Sequence, residues 1–220
     1  MVRSGEANAL VSERVWRELE RALATDHPER ALQVLRDCDA LPVLLPELAR
    51  GAGLPAALDA LHRATAITTV QGQPDTAARW AALLADLPPT AVEALCERLR
   101  VPAEHRDLAV LAARLCEWLR AGGRDSAQLV AAPEALLQLL EHADAWRRPE
   151  RFGRWLEVWC ARASAESHAL TAVDQFAARL AAAQQATAAV HLDDAELAAR
   201  RGPDIAALLH ERRLAVLRAL

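Results

Sequence analysis

A chain of 220 residues with 53% hydrophobic content can bury a substantial core without staples, and its length suits one large helical domain or two small ones. Ala, Leu, Arg and Glu dominate, only eight glycines occur, no run of about 18 apolar residues goes uncharged, and MVRSGEANAL lacks a signal core; the expectation is an all-α, cytoplasmic protein without membrane contact. A formal net charge of −4 excludes a uniformly basic nucleic-acid glove, so any RNA contact must come from a local patch.

In chain order, Ser12 caps a first helix to about Ala24, with Val11, Val15, Leu19, Ala22 and Leu23 at helical spacing on its core face. Asp26 and Glu29 flank Pro28 as a capping-box-like start to a second helix through Cys38, and the two pair as a hairpin. Leu41 to Leu48 is a short helical turn broken by Pro42 and Pro46. Gly51, Gly53 and Pro55 reset the direction before a helix to about Val70, and Gln71 to Pro74 is a loop. Asp75 opens RWAALLADL, which Pro88 and Pro89 end. The next helix carries Val92, Leu95, Cys96 and Leu99, and Pro102 sits in the first turn of a long helix to about Arg120.

Gly122 and Gly123 mark the most plausible boundary. Helices follow over Pro133 to His142, Pro149 to about Arg162 and Thr171 to Ala188, the last with Asp174 placed for a capping box. Asp193 and Glu196 form another box, and Pro203 starts a last helix to Leu220. The expected architecture is all-α: a multi-helix array of antiparallel hairpins without a sheet. Its expected divisions are 1–50, 51–121 and 124–220. Positive charge is arginine alone, which a GC-rich coding bias explains. Cys38, Cys96, Cys116 and Cys160 form no Cys-x-x-Cys pair and read as buried thiols.

The run VSERVWRELERALATDHPERALQVLRDCDALPVLLPE, Val11 to Glu47, resembles the neck of bacterial CCA-adding enzymes, the tRNA nucleotidyltransferases and related poly(A) polymerases. EALCERLRVPAEHRDLAVL, Glu93 to Leu111, and DAWRRPERF, Asp144 to Phe152, carry the same resemblance into the body and tail. It implies neck helices over 1–50, a degenerate HD-like body over 51–121 and a helical tail over 124–220. It also implies that Glu13, Arg14 and Glu18 brace the neck. The Gly-Ser signature of the family's catalytic head, its paired metal-binding aspartates and its Glu-Asp-x-x-Arg motif are not found, so no catalytic residue is assigned.

Many members of that family hold a divalent cation in the body with His, a His-Asp doublet and further His and Asp. Here the doublet falls on Ala85 and Asp86, and His62 matches the first ligand. His62 and Asp86 are then remnants, with no metal or cofactor expected, and the residue-level reading is a locally paired Asp86 and a His62 on a helix face.

Two arginine sets are candidates for RNA contact. Arg147, Arg148, Arg151 and Arg154 surround Trp146, Trp155 and Trp159, which reads either as an aromatic core with a solvated rim or as a phosphate-contacting strip. Arg200, Arg201, Arg212, Arg213 and Arg218 surround the RGPDI turn, which resembles the tail segment near the tRNA elbow. Intramolecular Glu-Arg pairing is the alternative. Arg98, Arg100, His105 and Arg106 form a weaker third set.

The expected function is therefore a non-catalytic tRNA-binding body and tail, supporting CCA addition at the tRNA 3′ end only with a nucleotidyltransferase head supplied. The alternative is a protein-interaction or dimerisation module using the neck face. A surviving phosphohydrolase at His62 and Asp86 is the third reading.

Overall fold

The computed structural model describes residues 12–50, 53–122, 131–166 and 170–220. Val11, assigned above to the first apolar face, and Gly51 and Gly123, assigned to turns, lie outside them. The described residues fall into two units, one within Met1–Ala121 and Arg154–Leu170, the other within Gly122–Gly153 and Thr171–Leu220.

In the first unit the helices are α1 (Ser12–Leu23), α2 (Pro28–Asp37), α3 (Leu41–Leu44), α4 (Pro46–Ala49), α5 (Leu54–Ile67), α6 (Thr76–Leu84), α7 (Pro89–Leu99) and α8 (Ala103–Ala121). Helix α6 is its axle. Every residue from Ala77 to Leu84 is buried, because α5 and α8 cover it on different sides and α1 adds a third contact. The burial of Val15, Trp16, Leu19 and Leu23 gives α1 one apolar stripe, which it lays on α6 and α7. Trp16 meets Trp80 edge-on at 5.3 Å, the arrangement that aromatic quadrupoles favour.

Two buried ionic groups tie this unit together. Asp75 caps α6, accepting from the Ala78 N–H at 2.9 Å. The same carboxylate accepts from Arg154 Nε at 2.7 Å and from its Nη2 at 2.6 Å, and Arg154 Nη1 donates to Glu104 at 2.6 Å. Burial opposes the Arg154 charge, but these two carboxylates outweigh it and hold the group above its ordinary value. Arg79, 4% exposed, donates to the carbonyls of Leu23 at 2.7 Å, Thr25 at 2.8 Å and Thr65 at 3.3 Å. It thereby ties the end of α1 and a carbonyl of α5 to α6. Burial pushes its pKa down, against the pull of Asp26 and Asp75.

The second unit contains α9 (Pro133–His142), α11 (Leu170–Ala188), α12 (Asp194–Ala198) and α13 (Gly202–Ala219), while α10 (Pro149–Glu166) begins in it and continues from Arg154 in the first. Helix α9 packs along α13. Leu136, Leu137, Leu139 and Leu140 are buried on α9, as are Phe176, Leu180 and Ala183 on α11 and Leu217 on α13.

The all-α expectation holds, with local corrections. A two-residue antiparallel ladder exists where no sheet was expected: Thr69–Val70 (β1) pairs with Gln73–Pro74 (β2). Helix α5 stops at Ile67 because Thr68 turns extended and a β-branched run follows. Gln71 and Gly72 then take φ of +51° and +75°, the handedness that matches a hairpin's twist. The N-cap of α2 is His27 without a side-chain cap, because Asp26 lies one residue too early. Helix α11 spans Leu170–Ala188, so Thr171 and Asp174 both lie within it. The box at Asp193 and Glu196 forms in both directions, at 2.8 and 3.1 Å. Cys96 and Cys116 are buried, but Cys38, at the C-cap of α2, is exposed and Cys160 is half-buried. No helix among the described residues is long and apolar enough to cross a membrane.

Candidate nucleic-acid interface

The α1–α2 hairpin presents an apolar cleft of about 420 Å³ lined by Val15, Leu19, Ala31, Val34 and Leu35, with Arg14 and Glu18 also lining it. Val34 is 63% exposed. Glu13 pairs with Arg100, the residue that ends α7 in the left-handed conformation with φ +54°, so a charged contact joins α1 to α7. Its own backbone hydrogen bond, followed by Arg100, holds the Glu13 carboxyl below its ordinary range. Glu18 instead bonds Arg21 one turn away, at 3.0 Å.

The candidate arginines divide by what they touch. In the first set Arg154 belongs to the Asp75 junction, and Trp155 and Trp159 are core residues of the first unit. Arg147, Arg148 and Arg151 sit around Asp144 at 3.9, 4.0 and 4.0 Å, distances too long for strong pairing. Arg151 also donates to the Ala143 carbonyl at 3.2 Å. Arg147 and Arg148 project outward, with side chains 86% and 57% exposed.

In the second set Arg212 is held by Glu196 and Arg218 by Glu134, the latter at 2.7 Å. Arg200 donates to the Glu196 carbonyl at 3.3 Å and helps to hold the Glu196 carboxyl below its ordinary value, after Arg212 and a backbone hydrogen bond, and Arg201 is the N-cap of α13; both are exposed. Arg213 lies over the Trp146 ring, 3.7 Å from its centroid, and burial pushes its pKa down, against Glu141. Trp146 is in turn fixed by donating its indole N–H to Thr187 at 3.0 Å. Arg147, Arg148 and Arg151 of the first set therefore share the second unit with Arg200, Arg201, Arg212, Arg213 and Arg218, whereas Arg154 belongs to the first. The Trp146 and Arg213 stack joins the turn bearing Arg147 and Arg148 to the C-terminal half of α13, whereas Arg200 and Arg201 precede the first turn of that helix. No local pattern announces that stack, since 67 residues separate its partners.

The third set is spoken for. Arg98 bonds Glu47 at 2.9 Å and the Leu44 carbonyl at 3.0 Å, and Arg106 pairs with its neighbour Asp107 at 3.1 Å. His105 is buried beside Trp16, ring centroids 5.1 Å apart, and within 3.0 Å of the Thr76 hydroxyl. Asp86 accepts from Arg162 Nε at 2.8 Å. His62 turns instead toward Glu29 of α2, its Nδ1 3.3 Å from the carboxylate. His27 and Glu29 were not among the expected site residues; their one available signal was the His-Pro-Glu run at the start of α2.

The described residues form an essentially all-α array of packed helices in which Arg147, Arg148, Arg200 and Arg201 are exposed. Residues 8–51 match a family described as the probable RNA and SrmB-binding site of polymerase A. A Multifunctional CCA protein of Thioalkalivibrio sulfidiphilus is 39% identical over 183 aligned positions, covering 71% of this chain and 43% of its own length. A CCA-adding enzyme of Pseudomonas putida is 39% identical over 167, covering 75% and 41%, and one of Coxiella burnetii 41% identical over 158, covering 71% and 38%. The chain is related to the CCA-adding enzymes, and it spans less than half the length of these curated relatives.

Proposed function

We propose that these 220 residues form a helical module that holds tRNA by its backbone, adds no chemistry of its own and serves a nucleotidyltransferase head, whether joined to it or separate. One observation carries the reading: Arg147, Arg148, Arg200 and Arg201 remain solvent-facing within one unit, while Arg154, Arg212 and Arg218 are consumed by carboxylates. The first turn of α13 adds backbone N–H groups beside Arg201, although Asp204 already meets part of that dipole. The matched RNA-binding family over residues 8–51 supports the same reading.

The test is tRNA affinity across a salt series. Changing all four exposed arginines to alanine is expected to weaken binding about 10- to 100-fold and to flatten the salt slope by about 0.7–0.9 per lost phosphate contact. Arg212→Ala should leave the slope unchanged. Identical affinity and slope for the fourfold variant would remove the surface from consideration.

A second reading rests on the α1–α2 cleft and its exposed Val34: an interaction module that self-associates through this face. Sedimentation across a concentration series should then show a dimer that Val34→Glu dissolves. A wild-type chain that stays monomeric throughout rejects it.

A further inference from the structure

We propose that His27, Glu29 and His62 bind a divalent transition-metal ion of the zinc type at the junction of α2 and α5. The sequence places them without distortion. Pro28 starts α2, so His27 stands at its N-cap and Glu29 in its first turn, while α5 packs alongside and carries His62.

The distances suit an ion better than they suit direct bonding. His27 Nδ1 lies 3.4 Å and His62 Nδ1 3.3 Å from the same oxygen, Glu29 Oε1. A charge-assisted hydrogen bond would close to about 2.7–2.9 Å. The edge of a tetrahedron with zinc-ligand bonds of about 2.0–2.1 Å is about 3.3 Å. One ligand atom from each residue lies within 4.8 Å of the other two, so a small inward movement of the imidazoles would complete the set. The rings are already nearly parallel, 7° apart with centroids 6.1 Å from each other.

Burial points the same way. The Glu29 side chain is 14% exposed and its second oxygen, Oε2, is buried without a hydrogen-bond partner. A buried carboxylate oxygen lacking a donor is costly, and a cation relieves that cost. The imidazoles, 53% and 51% exposed, leave the far side of the site open to a cleft of about 610 Å³ that Asp26 and Asp59 also line. Two imidazoles, one carboxylate and an open position form a donor set suited to zinc, copper or nickel rather than to magnesium or calcium.

The site differs from the His62 and Asp86 pair that the family resemblance implies. Asp86 is bound to Arg162, and the two new ligands come from α2. A bound ion would pin the start of α2 to α5, whether or not the chain binds RNA.

Calorimetric titration of the chelator-stripped chain with Zn²⁺, and absorption of its Co²⁺ complex, test this directly. One equivalent should bind, with a tetrahedral or five-coordinate cobalt spectrum and a higher melting temperature in zinc, since the ion stabilises whichever state holds it. His62→Ala and Glu29→Gln should each weaken Zn²⁺ by at least the ~10–100-fold that even outer-shell partners cost. Asp86→Ala should bind Zn²⁺ as wild type does. The proposal is overturned if wild type binds no Zn²⁺, if binding survives the triple His27→Ala, Glu29→Gln, His62→Ala variant, or if Asp86→Ala abolishes it.

Discussion

Asp75→Ala is expected to destabilise the chain by about 3 kcal/mol, seen in urea as a lower midpoint with an unchanged slope. Two losses add. The substitution removes the cap of α6, whose side chain meets the Ala78 N–H, a loss of about 0.5–2 kcal/mol. It also strips Arg154 of the partner that accepts both its Nε and Nη2, leaving the guanidinium with Glu104 alone. Breaking a buried pair by removing one member costs about 3–5 kcal/mol. Here that figure is discounted, because the Arg154 side chain keeps 22% of its surface in water and Glu104 is 67% exposed. Asp75→Asn separates the two effects. Asparagine caps as well as aspartate, so this variant should lose roughly half as much. Equal losses for the two would show that the cap contributes nothing, and a loss under about 0.5 kcal/mol for alanine, the range of ordinary surface changes, would refute the junction.

Arg79→Met should cost about 2–3 kcal/mol and should loosen one region before the rest. Methionine retains the apolar stem but abandons three carbonyls, those of Leu23, Thr25 and Thr65. Each buried acceptor left unmet costs about 1–3 kcal/mol. Two effects reduce the sum. Thr25 is exposed enough for water to replace the arginine, and the desolvation that depresses the Arg79 pKa disappears with the charge. The stated range is what remains. Amide hydrogen exchange gives the sharper readout: protection should fall most over α1 and α2. Uniform loss across α1 to α8 would mean that Arg79 supports the unit generally rather than the docking of α1.

Much of the fold was legible because its punctuation is local. Pro28, Pro89, Pro133, Pro149 and Pro203 each stand within the first two residues of a helix, where a missing N–H is harmless. The errors arose where local and tertiary preferences compete. The run Thr68-Thr69-Val70 continues the apolar helical pattern of α5, yet Thr68 turns extended and Thr69 and Val70 pair with Pro74 and Gln73 in a ladder instead. The candidate site was legible only as a pool of arginines. Arg147 and Arg154 are alike in composition and spacing, but one meets water and the other meets Asp75, 79 residues away. Spacing along α10 identifies neighbours on that helix, not the carboxylate another element delivers.

The division between engaged and exposed arginines has a kinetic consequence. These 220 residues carry a net charge of −4, and much of their positive charge is neutralised at short range by carboxylates. A polyanion approaching from beyond the ~8 Å Debye length of physiological salt meets a weakly repulsive monopole, not an attractive field. Attraction begins only when phosphate comes close to the few outward guanidiniums. Capture would then proceed at the ~10⁵–10⁶ M⁻¹s⁻¹ of unsteered encounter. Discrimination among polyanions would rest on how long the contact lasts.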